Sequence, residues 1–284
     1  MGLFLVVFLF EHLLTNSQSA ILLGENGKDF VRMVNFFHSL PYLRVIELVL
    51  IGVPVSVHMF WGIVYARTGK INAMPGKGDK PALPFYCRNQ GYSWMRITAW
   101  IMAVGLIGHL IHARLIDYPK MVPNGESAYY LASLKGDDGL YTLAKRLNVP
   151  LYTKSDIENA RERIDSRSIQ YLDLPNSVEE SRLVESLERY RIGKDQVVAA
   201  SPNFGSATLL LVRNWFKQPL LAILYTVFIL VTCFHAGHGF WTFLITWGVL
   251  LRYAAQKRAY AVGMGIFFFL AFLGIISIWG TYFF

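Results

Sequence analysis

The chain has 284 residues, of which 54% are hydrophobic, 15% aromatic and only 16% charged, with a formal net charge of +8. That balance excludes an ordinary cytosolic domain and points to a chain integral to a bilayer. Its two cysteines, Cys87 in a loop and Cys233 inside an apolar run, exclude a disulfide framework and a thiolate metal site.

Taken in chain order, the first apolar run is Gly2 to Leu14. It is shorter than the roughly 20 residues that the hydrocarbon demands. It has no positive n-region and no small-residue cleavage site, so it reads as a first membrane helix whose opening turns precede this chain, not as a removed signal peptide. Full-length windows follow at Leu43 to Ala66, Trp94 to Leu115, Pro219 to Phe234 running on toward Leu250, and Ala259 to Phe284. Thr15 to Leu40 balances Lys28 and Arg32 with Glu25 and Asp29. The segment from Arg67 to Gln90 instead carries Arg67, Lys70, Lys77, Lys80 and Arg88 against Asp79 alone, and Arg252, Lys257 and Arg258 stand between the last two spans without an acid. Lys- and Arg-rich loops stay cytoplasmic. The expected fold is therefore an all-α integral membrane bundle of five transmembrane helices, N-in and C-out. Helices 1–3 fall in residues 1–116, a soluble insert in 117–218, and helices 4 and 5 in 219–284.

The insert holds 14 basic and 14 acidic residues, so the whole formal excess lies elsewhere. It reads as a neutral, outward-facing, mainly helical region. Helices are expected at SDIENARERI, opening on Ser155 with Asp156 and Glu158 behind it, and at NSVEESRLVESLERY, opening on Asn176. No catalytic constellation stands out in it, and its charge runs read as solvated faces. Gly205 in SPNFGSATLLLVRNWF ends this region with an amphipathic lead-in to the fourth span.

Four histidines sit inside apolar helices, and the topology assigns each a depth at about 1.5 Å per residue. His58, 15 residues after Leu43, is roughly 22 Å below the outer surface, and His235, 16 residues after Pro219, is about 24 Å down. His109, 15 residues after Trp94 on a helix running the other way, is near the outer side, as is His12 just before TNSQS. Two couples emerge, His58 with His235 toward the inside and His12 with His109 toward the outside. A lone ring in hydrocarbon is costly unless it is bonded. Four rings matched in two layers fit haem, because neutral imidazole is the usual axial ligand and two per iron saturate it. The sequence has no C-x-x-C-H, so no c-type haem is covalently attached. His112 and His238 share a face with His109 and His235 at i+3 and suit at most a supporting or propionate contact, and His38 lies in a loop.

Anionic propionates prefer a basic rim. Arg96, with Arg67 or Arg252, suits the inner group, and Arg44 and Arg114 the outer, although each could equally snorkel to lipid headgroups. Pro54, four residues before His58, is expected to kink the second span.

These residues resemble a known family, the di-haem cytochrome b subunit of succinate dehydrogenase and fumarate reductase. The resemblance rests on FLFEHLLTNS around His12, SLPYLRVIELVLIGVPVSVHMFWGIVYA around His58, RITAWIMAVGLIGHLIHAR around His109 and TCFHAGHGFWTFLITWG around His235. It implies two haem b groups, the inner on His58 and His235 and the outer on His12 and His109, the same pairing as depth counting gives. It also implies a flavoprotein and an iron–sulfur subunit on the cytoplasmic face, a quinone that in such relatives is menaquinone, and a place in the inner (cytoplasmic) membrane. The chain would pass electrons and not catalyse alone. Glu11, beside His12, and Glu47, one turn past Arg44, are the polar candidates for quinone contact on the outer side. The family joins its third and fourth helices by a much shorter link, so the resemblance gives the insert no role.

Two other readings accommodate four membrane histidines. A haem b anchor of a hydrogenase or formate dehydrogenase is disfavoured by the W-x-F-x-x-T-W-G run from Trp241. A haem-free transporter calls for inverted repeats, and the sequence has no internal repeat.

Overall fold

The computed structural model describes residues 1–20, 27–68, 87–124, 127–167 and 175–283. Lys70, Lys77, Lys80 and Asp79 of the basic loop, and Glu25 of the first link, lie outside the described residues.

The element order is α1 (Gly2–Ser17), α2 (Lys28–His38), α3 (Leu43–Glu47), α4 (Val53–Thr68), α5 (Cys87–Ile111), β1 (Lys120–Asn124), β2 (Ser127–Lys135), α6 (Asp138–Arg146), β3 (Leu151–Tyr152), α7 (Lys154–Arg167), α8 (Pro175–Glu188), β4 (Gln196–Ser201), α9 (Phe204–Phe216), α10 (Pro219–Thr246), α11 (Tyr253–Ile275) and α12 (Thr281–Phe283). They form two compact units, one of residues 1–17, 40–110 and 220–279, the other of residues 18–39, 111–219 and 280–284.

The first unit is made of apolar helices. Four continuous stretches are long and apolar enough to cross a membrane: Leu43–Thr68, Gln90–Ile116, Pro219–Thr246 and Tyr253–Phe283. The protein is thus an integral membrane protein of mainly helical type. The first apolar helix is a shorter one, Gly2–Ser17. It does not stop at Leu14, because its polar end bonds back onto itself: Thr15 Oγ1 donates to Glu11 Oε1 (2.8 Å), Asn16 Nδ2 to the His12 carbonyl (2.8 Å) and Ser17 Oγ to the Leu14 carbonyl (2.7 Å). Cys87 opens α5 and does not lie in a loop.

Pro54 has no N–H to give and its ring crowds the preceding turn. The chain absorbs this in a π-helical turn at Leu48–Gly52 between α3 and α4, where the Val53 N–H reaches back to the Leu48 carbonyl. The helix α10 ends in a Schellman motif: Gly248 takes φ 71°, the Val249 N–H bonds to the Leu244 carbonyl (3.0 Å) and the Gly248 N–H to the Ile245 carbonyl (3.1 Å). That gives the Trp247-Gly248 pair of the sequence run a local cause. On α10 and α11, Gly237 and Gly263 allow a backbone-close crossing, for a Cβ on Gly263 would lie 2.7 Å from the Gly237 carbonyl oxygen.

The second unit is a layered α/β fold, and here the expectation of a region built from solvated helices needs correction. The two foreseen helices are present as α7 and α8, but a four-stranded antiparallel sheet of order β1-β2-β4-β3 organises them. One face, with Val122, Leu131, Val198 and Ala200, packs against Ile157 and Ala160 of α7 and Val184 and Leu187 of α8. The alternate residues Ala132, Leu134, Val197 and Ala199 are buried too, so β4 is covered on both sides. The second cover is α9, which packs on β2 and β4 with α2 against it. Far from an amphipathic lead-in, α9 buries ten of its residues, including Leu209, Leu210, Leu211 and Arg213.

Local rules fix the ends of these helices. Thr153, not Ser155, opens α7 in a reciprocal capping arrangement: Thr153 Oγ1 and N donate to Asp156 Oδ2 (2.6 and 2.8 Å), and the Asp156 N–H donates to Thr153 Oγ1 (3.2 Å). These bonds hold the Asp156 carboxyl below its ordinary value. Asn203 caps α9 by accepting from the Ser206 N–H (2.9 Å) and also accepts from Asn35 of α2 (3.1 Å), whose Oδ1 takes the Gly205 N–H (2.7 Å). A side chain on Gly205 would meet the Val31 carbonyl, so this glycine permits the close α2–α9 crossing.

Candidate functional site

The site is a set of imidazoles in the helical unit. The structure places His12 on α1, His58 on α4, His109 on α5 and His235 on α10. His58 and His235 approach each other with ring centroids 6.2 Å apart and ring planes at 88°. His12 and His109 do the same at 6.0 Å and 75°. Two imidazoles on opposite sides of one metal ion, each bonded at about 2.0 Å, have ring centres about 6 Å apart. Both couples have that separation.

The couples are stacked along the helices. Gly2 of α1 lies 3.8 Å from His58 Cε1 when given a Cβ, while His12 on the same helix meets His109. On α10, Tyr225 bonds to His109 and His235 meets His58. Each helix therefore visits the two couples ten residues apart, about 15 Å of helical rise.

The surroundings of each couple differ. At the His12–His109 couple, the Tyr225 phenol oxygen lies 3.2 Å from His109 Nδ1, the Phe8 ring packs on His12 at 5.5 Å and Phe228 on His109 at 6.1 Å. Gly105, one turn before His109, lacks the side chain that would collide with Phe228. At the His58–His235 couple, His235 Nδ1 is buried without a hydrogen-bond partner among the described residues. His238, one turn on, is buried beside Phe234 and Trp241.

A haem needs both a ligand pair and room for its ring. Gly62, one turn past His58, and Gly108, next to His109, each have nothing within 4 Å of a built Cβ. The span Gln90–Ile116 buries none of its most apolar window against the rest of the chain, and Leu43–Thr68 buries 6%. The couples, their spacing and the open glycine flanks fit a bis-imidazole haem at each level. Among the described residues no group of three or more His, Cys, Asp or Glu side chains gathers to hold a bare metal ion. A bis-histidine haem calls for only two.

The other candidates are placed as follows. Arg96 is half-buried and its guanidinium stacks over Tyr92 at 5.0 Å, while Arg67 ends α4 exposed. Glu11 is half-buried and accepts the Thr15 hydroxyl, so it does not simply turn to solvent. Glu47 is half-buried at the end of α3, with Arg44 exposed on the same short helix. In the α/β unit, Arg114 lies over Tyr118 at 5.6 Å. His112 there has a partner of its own: its Nε2 is 3.3 Å from Asp117 Oδ2, which also accepts Trp215 Nε1–H at 2.6 Å, and the His112 ring lies 4.4 Å from that of Trp215. His38 is likewise engaged, stacked on Phe204 at 4.1 Å. Sequence reasoning missed Tyr225. Its only signal is a hydroxyl in an apolar helix, ten residues before His235.

Comparison with known proteins gives one relative. The chain is 20% identical over 272 residues, 96% of its own length and 87% of the relative's, to the succinate dehydrogenase cytochrome b558 subunit of Bacillus subtilis (strain 168). No family model matches, and no solved structure matches. The likeness covers most of both proteins and supports a kinship with the succinate dehydrogenase cytochrome b subunits.

Proposed function

We propose that this chain is the di-haem b membrane anchor of a succinate dehydrogenase or fumarate reductase complex. The observation that carries the reading is the meeting of four helix-borne imidazoles in two couples, each at the separation of a bis-histidine haem. The likeness to a cytochrome b558 subunit over most of both chains supports the choice of complex.

Haem supplies a one-electron carrier at each level, and the chain's residues do the rest. His58 and His235 grip the inner group and His12 and His109 the outer. Tyr225, by accepting the Nδ1–H of His109, would hold that ring in the tautomer that leaves its other nitrogen for iron. Two levels about 15 Å apart divide hydrocarbon about 30 Å thick into short hops. Arg96 and Arg67 suit the inner propionates and Arg114 the outer. Glu11 and Glu47 are the candidates to exchange protons with a quinone, which the resemblance makes menaquinone.

The partners are a flavoprotein and an iron–sulfur subunit on the cytoplasmic face, and these carry the dicarboxylate chemistry. The chain crosses the inner membrane five times, N-in and C-out, with residues 117–218 outside. The test is purification in mild detergent with mass identification of accompanying chains and a pyridine haemochrome assay. Flavoprotein and iron–sulfur chains with two haems per copy are expected. A colourless protein would sink the haem assignment, and hydrogenase or formate dehydrogenase chains in the preparation would reassign the complex.

A further inference from the structure

The turn that joins α10 to α11 leaves an apolar surface uncovered. Trp247, Val249, Leu251 and Tyr253 are between 64 and 82% exposed, on alternate residues of one short stretch. Hydrogen bonds fix this turn. Besides the Schellman bonds at its start, Gln256 of α11 donates from its side chain to the Leu250 carbonyl (3.0 Å) and from its N–H to the Arg252 carbonyl (3.0 Å). The Gln256 carbonyl in turn accepts Trp241 Nε1–H from α10 (2.8 Å). A turn held in this way loses little freedom when something seats on it, so the four side chains form a ready contact.

Depth places this surface beyond the hydrocarbon. On α11 and its continuation, Lys257 and Arg258 are exposed, and the stretch from Ala259 to Ile278 rises about 30 Å, the thickness of the hydrocarbon. The two cations therefore mark its edge, and Tyr253, a turn and a half before Arg258, stands about 8 Å further out. The helix α10 agrees, since its 28 residues rise about 42 Å and carry Thr246 past the same edge. Sinking the turn into hydrocarbon would drag Arg252, Lys257 and Arg258 with it, which is costly. Tryptophan and tyrosine suit the headgroup layer, but Val249 and Leu251 call for an apolar cover.

Charge selects that cover. The rim of the turn is basic, with Arg252, Lys257 and Arg258, and no Asp or Glu follows Asp195 in the sequence. The chain's own link between α4 and α5 carries Lys70, Lys77 and Lys80 against Asp79 alone, so like charges disfavour it as the cover, and a second copy of the turn is disfavoured on the same ground. An acidic protein face is what fits. Resting on the reading of this chain as a respiratory anchor, we propose that the turn from Trp247 to Tyr253 is the seat of the iron–sulfur subunit, an apolar knob entering a recess with an acidic rim. Of the two soluble partners this one exchanges electrons with the inner couple and must lie nearest to it. Trp247 comes about 18 Å of helical rise after His235.

The experiment uses the whole complex in membranes, with photoreactive benzoylphenylalanine in place of Leu251 and, as control, in place of Leu220, which is also exposed but at the opposite end of α10. The photoadduct at position 251 is expected to contain the iron–sulfur chain, and that at position 220 is not. Leu251→Asp, on an open side chain, keeps the haem spectrum and lowers retention of the iron–sulfur chain in mild detergent about tenfold, and Arg252→Glu lowers it by less. An adduct at position 251 with lipid, with residues 69–86 or with a second copy overturns the proposal, as does full retention in both variants. If Leu251→Asp loses its haem as well, the photoadduct alone decides. A wild-type preparation with haem but no iron–sulfur chain would instead refute the anchor reading, and the docking surface with it.

Discussion

The phenol oxygen of Tyr225 lies 3.2 Å from Nδ1 of His109, whose ring centroid is 6.0 Å from that of His12. A ligating histidine whose second nitrogen is hydrogen-bonded is fixed in tautomer and orientation, and loss of such a support weakens metal binding by about 10–100-fold. Tyr225→Phe removes the oxygen and little volume. We expect purified Tyr225→Phe to retain both haems but to surrender the outer one about 10–100-fold faster to a haem-scavenging globin. Equal loss rates in wild type and variant would show that Tyr225 plays no supporting part.

The two couples make separable predictions. His58→Ala or His235→Ala should halve the haemochrome yield per chain, and His12→Ala or His109→Ala should halve it while removing the other spectral component. Within a couple the two variants should look alike, because one imidazole cannot saturate an iron that needs two. A variant of His58 that removed the same component as a variant of His12 would break the assignment of partners.

In the α/β unit, Asp137 and Arg213 form a fork of two bonds, 2.7 and 2.8 Å, while Asp137 also caps α6 by accepting the Leu140 N–H at 2.9 Å. Arg213 is 5% exposed, and Gly139 has no side chain because its Cβ would strike the guanidinium. The hydrogen bonds from Arg213 hold the Asp137 carboxyl below its ordinary 3.8. A carboxyl lowered in the folded state adds stability above its unfolded value and loses it as pH falls through the folded one. The contribution is therefore whole at neutral pH and fades below about pH 3.8. Asp137→Asn should destabilise the unit by about 1–3 kcal/mol at pH 7, less than a fully buried pair because the Asp137 side chain is 43% exposed. It should also make α6 and α9 less sensitive to acid. Hydrogen exchange of peptides from these helices in the intact protein, between pH 7 and 3, reads both effects. An acid response in Asp137→Asn as steep as in wild type would contradict the account.

How much of this was legible beforehand follows from the physics of each part. The spans could be read because hydrocarbon thickness sets a length, and the couples because a fixed rise per residue converts position into depth. Tyr225 could not be read, since nothing in a linear apolar run says which way a phenol points. The sheet was missed for a different reason. Its strand β4 is alanine-rich, β3 has two residues, and β2 pairs with β4 some 65 residues along the chain, so local pattern carries little of it. One signal was present: the sequence has glycine at 125, and β1 and β2 pair with Asn124 opposite Ser127, the two-residue spacing of a tight hairpin. The helix α9 looked amphipathic because Arg213 and Asn214 punctuate it. Arg213 is matched by Asp137, and Asn214 Oδ1 accepts the Lys135 N–H at 3.0 Å, both from elements far away in sequence.

The crossing of α10 and α11 at Gly237 and Gly263 yields a prediction in which two effects oppose. Replacing glycine by alanine inside a helix ordinarily stabilises by roughly 0.5–1 kcal/mol, because the unfolded chain loses freedom. At Gly237 a Cβ would instead press on the Gly263 carbonyl and on Phe267, backbone and side chain that cannot both retreat. Gly265, on the same α11, has nothing within 4 Å of its built Cβ and serves as the control. Gly265→Ala should leave the thermal midpoint of the detergent-solubilised protein unchanged or slightly raised, whereas Gly237→Ala should lower it by several degrees. Since Gly237 is two residues from His235, the displaced helix should also loosen the inner haem before the outer. If the two alanine variants melted together, the close approach of these helices would be no constraint on the bundle.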